Sequence, residues 1–280
     1  MTGAPFGGTP VPGLDIALDP ATGILHLTLD RTAKRNALDD TMVAGLIDAL
    51  DAAGRDEAVR AVLLAARGAH FCTGADIVQR NAAEETQGAG AKPRVGSIQR
   101  RLPSQAHRLI PLMLTVQVPI VCAVRGWAAG IGLALALAAD VTVAADDARF
   151  WAPFSDRGFT PDSGMTWLLP RRIGEVRARK MLLLGDRVDA RTAEEWGLVD
   201  RVVPESGLDK AAAEVAAGLA SGPTVALGLT KWLLHNGNSA TLEQQLRDEG
   251  FAMELSSRSH DFREGMAAFT GKRPAAFEGR

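Results

Sequence analysis

The chain has 280 residues, with 31 Lys and Arg against 33 Asp and Glu, for a formal net charge of −2. That length accommodates one large domain, or one domain with an appendage. The near-neutral balance gives no reason to expect nucleic acid or an anionic membrane as partner, and 46% hydrophobic with 23% charged residues is ordinary for a globular protein. The two cysteines, Cys72 and Cys122, stand in apolar surroundings and read as buried, reduced thiols of a cytoplasmic protein.

Residues 1–13 (MTGAPFGGTPVPG) lack the positive start and apolar core of a secretion signal and read as a disordered leader. Leu14–Leu18 and Ile24–Leu29 read as paired strands joined by the turn Asp19-Pro20-Ala21-Thr22-Gly23. The basic segment Arg31-Thr32-Ala33-Lys34-Arg35-Asn36-Ala37-Leu38 leads into an amphipathic helix over 39–54, with Met42, Leu46, Ile47 and Leu50 on one face. Val59–Ala66 is a near-continuous apolar run, as suits a strand covered on both faces. His70-Phe71-Cys72-Thr73-Gly74-Ala75-Asp76-Ile77 follows. The polar, glycine-containing stretch 81–101 reads as a loop over a site, with Arg94, Arg100 and Arg101 on it. Helical periodicity resumes over 102–115, where His107 reads as a surface or packing residue rather than a catalyst.

The run from Ile120 to Ala145 is apolar enough to raise the question of a membrane span. Arg125, Asp140 and the glycines between them point instead to a buried strand, turn, helix and strand. The turn, Gly126-Trp127-Ala128-Ala129-Gly130-Ile131-Gly132, has the layout that exposes backbone N–H groups at a positively polarised helix end. Beyond it, Phe150-Trp151-Ala152-Pro153 leads to Pro161-Asp162-Ser163-Gly164, a lone acid in a turn before another helix. A helix is expected over 171–184, and 189–199 reads as a capped helix, a glycine stop and a strand. From Gly207 onward the pattern is helical. Periodicity alone therefore gives an α/β region followed by a helical one, with core 14–205 and C-terminal region 206–280. No His, Cys or carboxylate cluster has metal-ligand spacing.

Three spaced pieces, VPIVCAVRGWAAGIG, AADVTVAADDARF and GFTPDSGMTWLLPRRIG, together with the earlier Phe71-Cys72-Thr73-Gly74-Ala75-Asp76-Ile77, resemble the enoyl-CoA hydratase/isomerase (crotonase) family. The likeness runs from about Leu25 to the C-terminus. It implies an α/β crotonase-like spiral of ββα units, with a C-terminal helical region that builds a homotrimer or a dimer of trimers. It also implies an acyl-CoA thioester as substrate, with coenzyme A as part of that substrate and no separate cofactor or metal. In the family two backbone N–H groups hold the thioester oxygen, and here they would belong to Ala75 and Ile131. Gly74 and Gly130 would set the turns, and Asp76 and Ile77 would continue the first motif. Lys34, Arg35 and Ala37 fall where the family cradles coenzyme A, with Thr32 in place of the usual Pro. Phe269 and Lys272 fall where a neighbouring subunit's coenzyme A is reached.

The resemblance also shows what is missing. The positions that carry two glutamates in the family's hydratases are occupied by Ala134 and Phe154, neither of which transfers a proton. Phe154 and Trp151 read instead as walls of the acyl pocket. The acid left at a position the family uses is Asp162; its structural alternative is a helix cap. With one carboxylate, proton-shuttling isomerisation is the leading expectation. The alternatives are hydrolytic C–C cleavage of a cyclic β-diketone-type thioester, hydration by relocated acid/base groups, and binding of a CoA thioester without catalysis.

Overall fold

The structure, a computed structural model, describes residues 10–76, 96, 99–100, 102 and 106–280. Most of the expected leader, Ile77, Arg94, Arg101 and nearly all of the 81–101 loop lie outside the described residues.

The chain opens with β1 (Leu14–Asp19) and β2 (Ile24–Leu29), paired antiparallel across the expected turn. Helix α1 (Asp40–Ala53) starts at Asp39, whose carboxylate accepts the Met42 N–H at 2.9 Å, and buries the predicted face. β3 (Ala61–Ala66) follows, then α2 (Ala106–Thr115), β4 (Ile120–Val124), the short β5 (Trp127–Ala129), α3 (Ile131–Ala138), β6 (Val141–Ala145) and β7 (Arg149–Trp151). Next come α4 (Met165–Ile173), α5 (Glu175–Leu183), β8 (Arg187–Asp189), α6 (Ala190–Trp196) and β9 (Arg201–Val203). The chain ends in α7 (Leu208–Ala220), α8 (Thr224–Gly237), α9 (Leu242–Ser256) and α10 (His260–Gly271).

The strands form a six-stranded sheet, ordered β1-β2-β3-β4-β6-β9, and a three-stranded sheet, β5-β7-β8. From β2 to β9 the large sheet is parallel, so both faces need cover and its strands are apolar on both sides. One face packs on α1, α2 and α3 in the main core. The other packs on α7 through Leu208, Ala211, Ala212 and Ala216. The expected boundary at 205/206 therefore falls before a helix that belongs to the core; the large sheet's second face would otherwise stand bare. The helix expected over 171–184 is two, because Gly174 separates α4 from α5.

The apolar run that raised the question of a membrane span resolves into β4, β5, α3 and β6, and α3 is only eight residues long. Among the described residues no single helix is long and apolar enough to cross a membrane. Cys72 and Cys122 are both free and fully buried, as expected, and burial pushes the Cys72 thiol up to about 12. Helix α8 is tied to the core by Lys231. Its ammonium donates to Asp140 at 2.7 Å and to the Val118 carbonyl at 3.2 Å, while burial pushes its pKa down.

Candidate active site

The two candidate N–H donors lie far apart in sequence and are brought together by two short parallel bridges. Leu38 pairs with Ala75, giving its N–H to the Gly74 carbonyl at 2.9 Å and taking the Asp76 N–H at 2.8 Å. In a parallel pairing of this kind the intervening residue turns its own N–H the other way, so the Ala75 N–H faces away from Leu38. Cys72 pairs with Ala128: the Cys72 N–H reaches the Trp127 carbonyl at 2.9 Å, and the Ala129 N–H reaches the Cys72 carbonyl at 2.9 Å. This lays the 72–75 segment along β5, just ahead of α3.

Ile131 is the first residue of α3, where a helix leaves its N–H groups without an intrahelical acceptor and carries positive polarity. The turn before it requires glycine. Gly130 has φ +53 and ψ −124, a conformation that side chains rarely adopt, and its N–H is anchored to the Trp151 carbonyl at 3.1 Å. Gly74, at φ +110, lies across from it: a Cβ on Gly130 would meet the Gly74 Cα at 3.7 Å. The two main-chain turns thus touch one another, with Ala75 and Ile131 on either side.

Ala75 and Ile131 line a narrow cleft of about 60 Å³, together with Gly74, Gly130, Phe154 and Asp162. Phe154 is buried and meets Phe159 edge-on, ring centroids 5.6 Å apart. Asp162 is half-buried, and the Ser163 hydroxyl donates to its Oδ1 at 2.9 Å. The alternative role for Asp162, a side-chain helix cap, is not the one observed. Helix α4 is capped by Gly164 without any side-chain bond, and Asp162 contributes only its main-chain carbonyl to the Met165 N–H, at 3.0 Å. Ala134 is fully buried inside α3 and does not border the cleft.

Other expected site residues stand elsewhere. Asp76 is a buried ion-pair partner of Arg31, whose Nη1 lies 2.8 Å from its Oδ2; that guanidinium also bonds the Ala37 carbonyl at 3.0 Å. Asp76 and Ala37 therefore brace the segment behind the cleft. Lys34 and Arg35 are exposed on the turn leading to Leu38, and the Arg35 carbonyl accepts the Thr73 N–H at 3.2 Å. Trp151 does not line the cleft: its indole N–H goes to the Gly185 carbonyl at 3.1 Å and its ring packs by Trp127, with the Arg187 guanidinium 4.7 Å above it. Its contribution is the carbonyl that holds Gly130. Phe269 is 83% exposed at the end of α10, and Lys272 caps that helix in a left-handed conformation; neither borders the cleft of its own chain.

Among the cleft residues to which the sequence reading gave no such role are Asp40, Arg157, Phe159 and Ser163. Ser163 left one trace in the sequence, its place between an acid and a glycine. The structure holds it at φ +53, a left-handed conformation unusual for a residue with a side chain, and only 1% exposed. Asp40 resembles any first-turn helix acid, and nothing local marks Arg157.

An enoyl-CoA hydratase/isomerase family model matches residues 19–280. The chain is 39% identical to a 1,2-epoxyphenylacetyl-CoA isomerase of Escherichia coli (strain K12), over 92% of this chain and 96% of that one. It is 33% identical to a 2,3-dehydroadipyl-CoA hydratase of the same organism, over 92% and 96% respectively. Among solved structures, the enoyl-CoA hydratase of Bacillus anthracis matches with a TM-score of 0.85 and 31% identity, covering 95% of this chain and 99% of that one.

Proposed function

The chain belongs to the enoyl-CoA hydratase/isomerase family, and from that premise we propose that it isomerises an unsaturated acyl-CoA thioester, with Asp162 carrying the proton. In this reading the thioester oxygen accepts the N–H groups of Ala75 and Ile131. Asp162 takes a proton from the carbon next to the thioester, and the electrons spread over a dienolate with charge on that oxygen. The same carboxyl then returns the proton two carbons further along, shifting the double bond. The fixed main-chain donors stabilise the developing charge without reorganisation, and one such donor is worth about 2.7–4 kcal/mol. The observation that carries the proposal is that the Asp162 carboxyl borders the same cleft as both donor residues while Ala134 and Phe154 offer no proton.

Asp162 is held by a neighbouring hydroxyl on one oxygen, which leaves Oδ2 as the oxygen for the proton. The apolar Phe154 and Phe159 and the likeness to a 1,2-epoxyphenylacetyl-CoA isomerase favour a cyclic acyl group over a straight one. The exposed apolar side chains of the last three helices, Leu242, Leu246, Phe251 and Phe269 among them, support association into trimers or paired trimers. Phe269 and Lys272 would then serve a neighbour's coenzyme A.

A second reading has one observation in its favour. Asp40 also lines the cleft, a second acidic residue beside Asp162, as hydration by a relocated acid/base pair would use. Turnover of 2-enoyl, 3-enoyl and cyclic CoA thioesters in ¹⁸O-labelled water separates the two. Isomerisation gives a rearranged product of unchanged mass, and Asp162→Asn loses it. Incorporation of label overturns isomerisation in favour of hydration, or of ring opening where the ring is cleaved.

A further inference from the structure

We infer that Asn36, which stands outside the cleft, is the positioning residue for one of the two proposed donors: its buried side-chain amide fixes where the Ala75 N–H points. This rests on the acyl-CoA reading above and deepens it by naming what holds the geometry of that site.

The Ala75 N–H belongs to a segment with no helix or long strand of its own to set its course. What lies beside it is the turn at 35–38. The Thr73 N–H donates to the Arg35 carbonyl at 3.2 Å, the Leu38 N–H to the Gly74 carbonyl at 2.9 Å, and the Asp76 N–H to the Leu38 carbonyl at 2.8 Å. The path of residues 73–76 is therefore set by the path of residues 35–38. That turn is conformationally costly. Arg35 and Asn36, at φ +51 and φ +54, take the left-handed conformation in succession, which few residues with side chains adopt, asparagine being among the more tolerant. Local backbone preference alone does not hold such a turn.

Asn36 supplies the hold. The residue is only 1% exposed, and its side chain makes three hydrogen bonds. Oδ1 accepts the Arg31 N–H at 2.7 Å, while Nδ2 donates to the Arg67 carbonyl at 2.9 Å and to the His70 carbonyl at 2.7 Å. The first closes the turn on itself. The other two clamp it to residues 67–70, the chain that runs directly into the Cys72–Ala75 segment. One acceptor and two donors on a short side chain are what asparagine offers. Aspartate would set a carboxylate against two carbonyls, and glycine would take the φ but make none of the bonds. Asn36 does not line the cleft, so its amide acts through Ala75 rather than on substrate. Ile131 is placed separately, by the Gly130 turn anchored on the Trp151 carbonyl. The amide thus governs one donor of the pair.

The thioester carbonyl itself can report this. Infrared difference spectra of bound [1-¹³C]butyryl-CoA, a saturated and unreactive thioester, read how far the donors lower the carbonyl stretch below its value in solution. A lowered band is expected in the parent protein. Asn36→Gly keeps the left-handed backbone and cuts all three bonds; Asn36→Asp keeps the shape and the bond to Arg31 and cuts the other two. Both are expected to move the band part of the way back to its solution position. Both are also expected to lower kcat on an enoyl thioester by about 10²-fold, the scale of one lost donor, with little change in KM. A band that stays at the parent position in both variants, whatever their kcat, overturns the inference and leaves the Asp162 chemistry untouched. Variants too unstable to bind butyryl-CoA give the amide a role in folding alone and overturn it too. A parent band unmoved from its solution position overturns the two-donor reading and the inference with it.

Discussion

Ser163 lines both the cleft and a cavity of about 530 Å³ beside it, but the two are made of different material. In the cleft the groups proposed to hold the thioester oxygen are main-chain N–H groups, placed by the turns at Gly74 and Gly130 and by the bridges at Leu38–Ala75 and Cys72–Ala128. The cavity is lined mainly by side chains carried by three helices, one of them from the C-terminal region. The difference teaches which substitutions matter where. A main-chain site is indifferent to the side chain that accompanies its donor and sensitive to the path of the backbone; a side-chain site is the reverse. On that account the Ile131 side chain matters little, since its N–H opens α3 whatever that side chain is.

The comparison can be broken or sharpened by substitution. The largest effect is expected from Asp162→Asn, the one side chain on which the cleft's proposed chemistry depends: turnover falls by about 10²- to 10⁴-fold while thioester affinity is kept, as rapid-quench kinetics beside calorimetry will read. Next comes Gly130→Val. A β-branched residue cannot hold φ +53 with ψ −124, so the Ile131 N–H is displaced and kcat falls by about 10²–10³. Ser163→Ala leaves the backbone as it is and removes the hydroxyl from Asp162 Oδ1, and steady-state kinetics should give about a tenfold lower kcat with little change in KM. Ile131→Ala retains the donor and is expected to leave kcat close to the parent value; a loss as large as that of Gly130→Val would sink the main-chain account. The smallest signal is expected at the cysteines. With the Cys72 thiol pushed up to about 12 and both thiols fully buried, a disulfide reagent at neutral pH should label neither until the protein is denatured.

Much of this arrangement was legible in the residues. The strand periods, the glycine turn before α3 and the fate of the apolar 120–145 run follow from local patterns, because hydrogen bonding and alternating burial act over a few residues. Ala75, Ile131, Phe154 and Asp162 line one cleft. Asp76 and Trp151 did not take the expected places. A carboxylate beside a motif reads the same whether it faces substrate or an arginine forty-five positions earlier, and the pairing with Arg31 is a matter of tertiary distance. An indole on a three-residue strand faces one side or the other according to its partner strand, and here the Gly185 carbonyl holds it away from the cleft. The boundary expected at 205/206 missed α7, since a helical period does not say which sheet face it covers.

By itself, then, the sequence determined which segments are strands and helices, where glycine must stand, and which residue types could supply donors and a proton, because each depends on neighbours in the chain. The tertiary structure alone decided that two distant turns touch, that Ser163 is buried against the acid, and that α2, α4 and α8 line one cavity. Those depend on register and on packing between remote elements, which no local pattern encodes.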